Sequence, residues 1–193
     1  MTSGPGGHLA DQWGGDGAGG GLTDDGGWTA LTRQAAAIGA RLIAQRQTIC
    51  VAESSTGGLI AAALLASPGA SRFFVGGAIV YTARARAALL QIDRLDVEGM
   101  RSATAPYADL VAERARRHLR TDWALAETGA AGPTGNPYGD AAGHCCISLR
   151  GPAPMATVIE TGRTDRTANM VLFAAAALRL LDQGLARSAK AGA

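Results

Sequence analysis

Hydroxyl and glycine residues are concentrated in two short turns, Ala52–Gly58 and Thr128–Gly135, and each turn directly follows an apolar run of β type. A strand that ends in such a turn exposes a hydroxyl group and directs unpaired backbone N–H groups toward an anion or a developing oxyanion. Two such turns predict a pocket for an anionic ligand, with Ser54 as a nucleophile within reach. The alternative is structural, because a serine at this point can serve as the N-cap of the next helix.

The composition is typical of one folded domain with a tail. The chain has 193 residues, of which 47% are hydrophobic, so it can bury a sizeable core. Its 18 basic and 16 acidic residues leave a net charge of only +2, which gives no global electrostatic reason to expect nucleic-acid binding. The apolar runs are shorter than about 18 residues, so we expect no membrane span. The arginine-rich stretch 114–120 is expected to be a solvated helix face.

Lysine and cysteine usage limits the chemistry that the chain can perform. The only lysine is Lys190 near the C-terminus, so the predicted domain has no lysine to act as a base. Cys50, Cys145 and Cys146 lie in apolar runs without CxxC spacing, which favours buried thiols over disulfides or zinc ligands. No ligand spacing indicates a metal, and we expect no cofactor. The N-terminus lacks a secretion signal, so we expect a reducing cytoplasm.

The chain divides into a glycine-rich start, one ordered domain and a short tail. Residues 1–27 are rich in glycine and are expected to be disordered, although Trp13 could dock on the domain. Residues 28–184 form the predicted domain, and residues 185–193 are expected to be a flexible tail.

Periodicity and turn signals predict an α/β fold, with a single three-layer domain whose mixed β-sheet carries helices on both faces. A long loop, Thr128–Gly143, separates the third and fourth strands, and Thr82 is the predicted N-cap of a short helix. Neither a GxxxxGK[ST] nor a GxGxxG motif is present. The predicted elements are helix Thr29–Arg46, strand Thr48–Ala52, helix Thr56–Ala66, strand Phe73–Tyr81, helices Thr82–Leu90 and Tyr107–Leu119, strands Trp123–Glu127, His144–Leu149 and Ala156–Glu160, and helix Arg166–Asp182.

Four blocks of this sequence are similar to the motifs of one family. Ala52–Gly58 is similar to A-E-S-C-T-G-G and Gly76–Tyr81 to G-G-x-x-x-Y, whereas Thr128–Pro133 is similar to T-G-I-A-G-P and Gly162–Arg166 to a G-D-R turn. Their order and spacing agree from about residue 30 to 183. The chain therefore resembles the C-terminal domain family of the competence/damage-inducible protein CinA, which includes nicotinamide-mononucleotide (NMN) amidohydrolases. We expect a stand-alone form, without the molybdopterin-binding-like domain of full-length CinA proteins.

The resemblance implies hydrolysis of NMN to nicotinic acid mononucleotide and ammonia, in pyridine nucleotide salvage, by a homo-oligomer. It implies Ser54 as the nucleophile, with Tyr81 nearby, Arg86 at the position of a family lysine, and Thr128 orienting the substrate. Backbone N–H groups of the Thr56–Gly58 turn or of the Thr128–Gly132 loop are expected to hold the oxyanion. The predicted substrate-binding positions are Glu53, Ser55, Thr56, Gly57, Gly58, Glu127, Gly129, Ala131 and Gly132.

Three positions depart from the family pattern. An arginine cannot lose its proton, because its pKa exceeds about 12, so Arg86 could bind the substrate phosphate, lower the pKa of Tyr81 or cover a helix face. Glu127 replaces a small or apolar residue and could act as a base, pair with Arg86 or be an exposed strand-end carboxylate. Ser55 replaces a nearly isosteric cysteine. Glu53 matches the family and could bind backbone N–H groups near the helix start.

Two further features leave the function open. The insert Asn136–Asp140 could close over a ligand or alter specificity, and His144, which follows it, is either a satisfied strand residue or a base. His118 is expected on the surface. Because the family lysine is replaced, a nucleotide-binding or interaction module without catalysis is a second hypothesis, and hydrolysis of a related amide with the help of Glu127 is a third.

Overall fold

The computed structural model describes residues 25–191. The predicted disorder of residues 1–24 and the possible docking of Trp13 lie outside the described residues. The first helix begins at Asp25, so residues 25–27 belong to it and not to a tail.

Within residues 25–191, five helices and five strands follow one another in nearly the predicted order. The helices, apart from two short 3₁₀ turns, are α1 (Asp25–Gln45), α2 (Leu59–Leu65), α3 (Ala83–Leu90), α4 (Ala105–Leu119) and α5 (Arg166–Ala191). The strands are β1 (Ile49–Glu53), β2 (Phe74–Ile79), β3 (Trp123–Ala130), β4 (His144–Arg150) and β5 (Met155–Glu160). The predicted N-cap is confirmed, because the Thr82 hydroxyl accepts a hydrogen bond from the backbone N–H of Ala85.

The strands form one mixed sheet in the order β2-β1-β3-β4-β5. β1 pairs in parallel with β2 and β3, whereas β4 is antiparallel to β3 and to β5. The register places Ala52 opposite Ala126, so the next residues, Glu53 and Glu127, lie side by side at the same edge of the sheet. This register determines where the candidate site lies, because it brings the two predicted turns together at the ends of β1 and β3.

Alternation along the strands divides the core into two layers, as predicted for helices on both faces. Val51 and Leu125 belong to the apolar layer that packs under α1, α2 and α5. Ala52 and Ala126 belong to the other layer, which packs under α3 and α4. Continuing the alternation by one residue directs Glu53 and Glu127 toward α2, and it directs the following residues, Ser54 and Thr128, toward the side of α3 and α4.

The structure corrects two predicted boundaries. β3 continues through Ala130, because Thr128 and Gly129 pair with Cys146 and Cys145 of β4, so the first residues of the predicted loop are strand. α5 continues to Ala191, and the predicted tail from residue 185 is wrong for the described residues. Leu185 is fully buried, which gives the last turns of α5 an apolar anchor.

The other predictions on side chains outside the site are confirmed. All three cysteines are buried and free. His118 is exposed, and the arginine-rich face of α4 is solvated in part and pairs with nearby acids. The hydrogen bond from Arg116, together with that from Arg117, lowers the pKa of Glu113 to about 2. Within residues 25–191, no helix has the length and apolar character needed to cross a membrane.

Candidate functional site

The four residues predicted to be catalytic line one cavity of about 490 Å³, which we call the main cavity. Ser54 reaches it from the turn between β1 and α2, Tyr81 and Arg86 from the segment that follows β2, and Thr128 from β3. Ser54 is half-buried. Among the residues that the structure describes, none makes a hydrogen bond with the Ser54 hydroxyl, so this group is available to a ligand.

A smaller cavity of about 260 Å³, the side cavity, holds several of the predicted binding residues. Its lining includes Ser55, Ala131, Gly132 and Arg166. Tyr81, Gly129 and Asn136 line both cavities, so the two spaces adjoin. Four predicted binding residues line neither cavity: Glu53, Thr56, Gly57 and Gly58. The hydrogen bonds of Glu53, Thr56 and Gly58 serve the scaffold instead.

Glu53 caps α2 with its carboxylate, as one of the sequence-based interpretations holds. Its Oε2 accepts hydrogen bonds from the N–H groups of Gly58 at 2.9 Å and Ile60 at 3.1 Å, and Oε1 accepts one from Ala61 at 2.8 Å. The side chain is 1% exposed. Burial raises the pKa of Glu53, and the nearby charge of Glu127 raises it further, although hydrogen bonds from Thr56 and from backbone N–H groups oppose this.

Glu127 holds the segment Ser54–Gly58, which we call the Ser54 turn. Its Oε1 accepts hydrogen bonds from the N–H groups of Ser54 and Thr56, the latter at 2.9 Å, and its Oε2 accepts one from the Ser55 hydroxyl at 2.7 Å. Only 1% of the side chain is exposed. The prediction of an exposed strand-end carboxylate is therefore wrong, because the β1–β3 register carries this side chain under the turn.

The predicted ion pair between Glu127 and Arg86 is not present among the described residues, where no carboxylate lies within 4.0 Å of the Arg86 guanidinium. Arg86 donates from Nε to the Ile92 carbonyl at 3.3 Å and from Nη1 to the Tyr107 hydroxyl at 2.8 Å. Its guanidinium also lies over the Tyr107 ring, 5.6 Å from the centroid. The residue is only 7% exposed, yet most of its N–H donors remain unused.

These contacts change the predicted anion site. The N–H groups of Thr56 and Gly58 already donate to Glu127 and Glu53, so of the Thr56–Gly58 turn only the exposed Gly57 retains an unused N–H among the described contacts. The negative charge of the glutamates at the start of α2 also repels an incoming anion. An anionic ligand group is therefore better served by Arg86 than by this helix.

Thr128 and Tyr81 differ in their exposure and in the hydrogen bonds of their hydroxyl groups. Thr128 is buried, and its hydroxyl accepts a hydrogen bond from the Ala103 N–H at 3.2 Å, which leaves the hydroxyl proton free to donate into the main cavity. Tyr81 is 60% exposed, and its hydroxyl accepts a hydrogen bond from Arg166 at 3.4 Å. Arg166 in turn donates to the Gly132 carbonyl at 2.8 Å, so it links Tyr81 to the second turn.

His144 is satisfied at both ring nitrogens and is not poised as a base. Nε2 lies 2.9 Å from the Ala103 carbonyl, and Nδ1 contacts the Glu160 carboxylate. Both partners are acceptors, so both ring nitrogens must carry protons. Burial lowers the pKa of His144, but the hydrogen bonds to Glu160 and to Ala103, together with the charges of Glu160 and Asp140, outweigh this effect and raise it.

The insert Asn136–Asp140 is folded on itself and attached beside the main cavity. The Asn136 side chain accepts from the N–H groups of Tyr138 and Asp140 and donates to the Asp140 carboxylate. Arg101 donates to the Tyr138 carbonyl at 2.9 Å and lies 3.1 Å from the Asp140 carboxylate. Asn136 and Tyr138 line the main cavity, which agrees with a ligand-facing insert.

The motifs did not predict the roles of Tyr107, Ala103 and Arg101. Tyr107 and Ala103 line the main cavity beside Arg86 and Thr128. They lie in a segment that carries none of the four sequence blocks, so only the packing of α4 against β3 could have located them. Within residues 25–191, no group of three or more His, Cys, Asp or Glu side chains is arranged to hold a metal ion.

Comparison with known families decides what this arrangement belongs to. The model of the CinA C-terminal domain matches residues 31–185. The chain belongs to the CinA C-terminal domain family. The match covers both turns, the main cavity and α5 as far as residue 185, so the family assignment applies to the whole described site.

Curated relatives match part of this region. A CinA-like protein of Mycolicibacterium paratuberculosis is 39% identical over 127 residues, which are 66% of this chain and 29% of the relative. A CinA-like protein of Gloeobacter violaceus is 39% identical over 118 residues, 61% of this chain and 28% of the relative. The chain therefore spans less than a third of the length of these relatives.

Solved structures of the superfamily have the same fold. A competence-damaged protein (CinA) superfamily protein of Escherichia coli superposes with a TM-score of 0.74 at 27% identity, over 79% of this chain and 89% of that one. The corresponding superfamily protein of Klebsiella pneumoniae gives a TM-score of 0.76 at 23% identity, over 81% and 98% of the two chains. The mixed sheet with helices on both faces is thus the CinA superfamily fold.

Proposed function

We propose that the chain is an amidohydrolase of the NMN deamidase type, which converts NMN and water to nicotinic acid mononucleotide and ammonia. One observation carries the proposal: a serine hydroxyl without an internal partner and a buried arginine without a carboxylate partner line the same 490 Å³ cavity. A buried cation with unused donors favours an anionic ligand group, and a mononucleotide phosphate provides one.

The reaction would proceed through an ester of Ser54. The Ser54 oxygen attacks the carboxamide carbon, and the carbonyl oxygen gains negative charge. The Thr128 hydroxyl lines the main cavity and is free to donate to that charge, and Gly57 provides an unused N–H group in the neighbouring turn. The carbon–nitrogen bond then breaks, the serine proton leaves with the ammonia, and water hydrolyses the ester to the acid.

Arg86 would bind the ligand and would not act as a base. An arginine does not lose its proton in a protein, so Arg86 stays charged throughout the reaction. Its free donors suit bidentate binding of the phosphate. A deprotonated lysine is therefore not part of this reaction, and the proton of Ser54 must leave by way of the substrate or solvent.

A second candidate function is a nucleotide-binding module without catalysis. The observation that favours it is the same Arg86, which holds a ligand but cannot activate Ser54. In either case we place the protein in the cytoplasm, in pyridine nucleotide salvage, as a homo-oligomer, and its mass in solution would test the last point.

The test is the formation of ammonia and nicotinic acid mononucleotide from NMN by the full chain. Ser54→Ala should abolish turnover, whereas Ser102→Ala, a matched control at another serine of the main cavity, should retain it. Equal turnover in the wild type and in Ser54→Ala would overturn the assignment of the nucleophile. Binding of NMN without turnover in the wild type would support the binding module instead.

A further inference from the structure

Two buried glutamates face each other across one threonine hydroxyl. Thr56 Oγ1 lies 2.7 Å from Oε2 of Glu53 and 2.8 Å from Oε1 of Glu127. Both carboxyl groups are 1% exposed, and Thr56 is fully buried. Both distances are those of hydrogen bonds between oxygen atoms.

A count of protons shows that this arrangement is one proton short if both glutamates are ionised. The threonine hydroxyl carries one hydrogen and can donate it to one carboxylate only. The other short contact would then join two oxygen atoms with no proton between them, which is repulsive. The backbone and side-chain donors around the two carboxyl groups all have their own partners and do not enter this contact.

We propose that the Glu53–Thr56–Glu127 cluster holds one shared proton at neutral pH, so that it carries a single negative charge. One carboxyl group donates this proton to Thr56 Oγ1, and the hydroxyl donates its own proton to the other carboxylate. Each short contact then contains one proton, and the cluster forms a continuous hydrogen-bonded chain from β1 to β3. Neighbouring carboxyl groups that share a proton are a known solution to like-charge repulsion, and here the Thr56 hydroxyl lies between them.

The surroundings support a single charge. No arginine, lysine or histidine of the described residues forms an ion pair with Glu53 or Glu127. From β4, the Cys145 thiol lies 3.7 Å from Glu127, and burial together with the charge of Glu127 raises its pKa well above the usual range, so it is a neutral donor. From α2, the facing groups are backbone N–H groups. Arg86, on the α3 side of the main cavity, is the cation among the residues that line this cavity together with Glu127.

The cluster makes Glu127 a positioning residue for Ser54, an inference that rests on the proposed function. Glu127 receives the N–H of Ser54 itself and the hydroxyl of the neighbouring Ser55. Loss of the shared proton would place two charges 2.7 and 2.8 Å from the same hydroxyl and push the Ser54 turn away from β3. The geometry of the nucleophile should therefore depend on a proton that never reaches the substrate.

The proposal is tested by the pH dependence of unfolding. A glutamate in the unfolded chain has a pKa of about 4.3, so unfolding at neutral pH would release the shared proton. The native state binds more protons than the unfolded one, and stability must fall as the pH rises from about 5 to the pKa of the cluster. The unfolding constant of the wild type should increase by about tenfold per pH unit in this window because of the cluster.

The decisive variant combines Glu53→Gln with Glu127→Gln, because it removes both carboxyl groups that could hold the proton and keeps amide oxygens as acceptors for the Ser54 and Thr56 N–H groups. In this variant, the unfolding constant should increase less steeply with pH, by the whole contribution of the cluster of about tenfold per pH unit. His144 titrates in both proteins, so it cancels from the difference. Equal slopes in the two proteins would overturn the shared proton.

A measurement on the wild type keeps the proposal testable if the double variant does not fold. In the wild type alone, infrared spectroscopy at pH 7 should detect one buried protonated carboxyl group, and the absence of its band would overturn the proposal.

The role in positioning has a separate readout. Loss of the shared proton should lower kcat of the wild type at alkaline pH, and this decline should be absent in the double variant, whereas a merely structural role would lower kcat at every pH alike. These stability and infrared results do not depend on turnover. If NMN is not a substrate, the shared proton still stands or falls on them.

Discussion

Glu127 and Arg86 are the two buried charges that depart from the family pattern, and the structure treats them in opposite ways. Glu127 is saturated by donors from the Ser54 turn. Arg86 uses two of its donors on Ile92 and Tyr107 and faces the main cavity with the rest. A buried charge that the protein satisfies completely serves the scaffold, whereas one left partly unsatisfied is available for a ligand.

Glu127→Ala should produce the largest change in stability, because it leaves the donors of Ser54, Ser55 and Thr56 buried without an acceptor. The free energy of unfolding should fall by about 3–5 kcal/mol. Chemical denaturation of the full chain measures it. A loss below about 1 kcal/mol would show that water or rearrangement replaces the carboxylate, and the contrast with Arg86 would fail.

Arg86→Met should show the opposite pattern. Stability should change little, because an apolar side chain of similar length replaces a cation without a carboxylate partner. The affinity for NMN should fall by about tenfold or more, the value of a lost hydrogen bond to a charged group. Calorimetry checks this, with nicotinamide riboside as the ligand that lacks the phosphate. If the affinity for both ligands falls equally, Arg86 does not bind the phosphate.

Ser54 and Ser55 repeat the comparison between a free and a hydrogen-bonded group, with smaller expected changes in stability. Ser55→Ala removes a hydrogen bond to Glu127 and should cost about 1 kcal/mol of stability. Ser54→Ala removes a hydroxyl without a partner in the described contacts and should leave the stability within about 0.5 kcal/mol. Thermal unfolding of the two variants tests this, and a reversed order would mean that the turn is held differently.

The smallest expected effect on stability comes from His144, whose ring binds a proton that is lost as the pH rises. Its raised pKa means that the native state binds the proton more tightly than the unfolded chain. This stabilisation is complete below about pH 6.5 and disappears as the pH rises through the raised pKa. It should be below about 1 kcal/mol, because Glu160 is largely exposed. His144→Asn should remove it, and an unchanged pH profile would show that the ring is neutral.

The sequence predicted the fold, and its four catalytic candidates line the main cavity, because periodicity locates helices and strands and the sequence blocks lie where strands end. It did not predict that Glu127 supports the Ser54 turn. That contact depends on the register of β1 and β3. It joins Ser54, which follows β1, to Glu127 in β3, and the two residues are 73 positions apart in the sequence. The sequence-based prediction also ended β3 too early, because Thr128 and Gly129 are typical of turns and only pairing with β4 makes them strand. The end of α5 was missed because the alanine-rich residues around Leu185 give a weak apolar pattern.

The long last helix also gives the protein a single chemical handle. Lys190 is exposed near the end of α5 and is the only lysine of the chain. Arg166, at the other end of the helix, lines the side cavity. At 1.5 Å per residue, the two are about 36 Å apart along the helix axis. An amine-reactive dye or surface would therefore reach one side-chain amine, remote from the ligand, and every molecule attached through it would present its cavities in the same orientation.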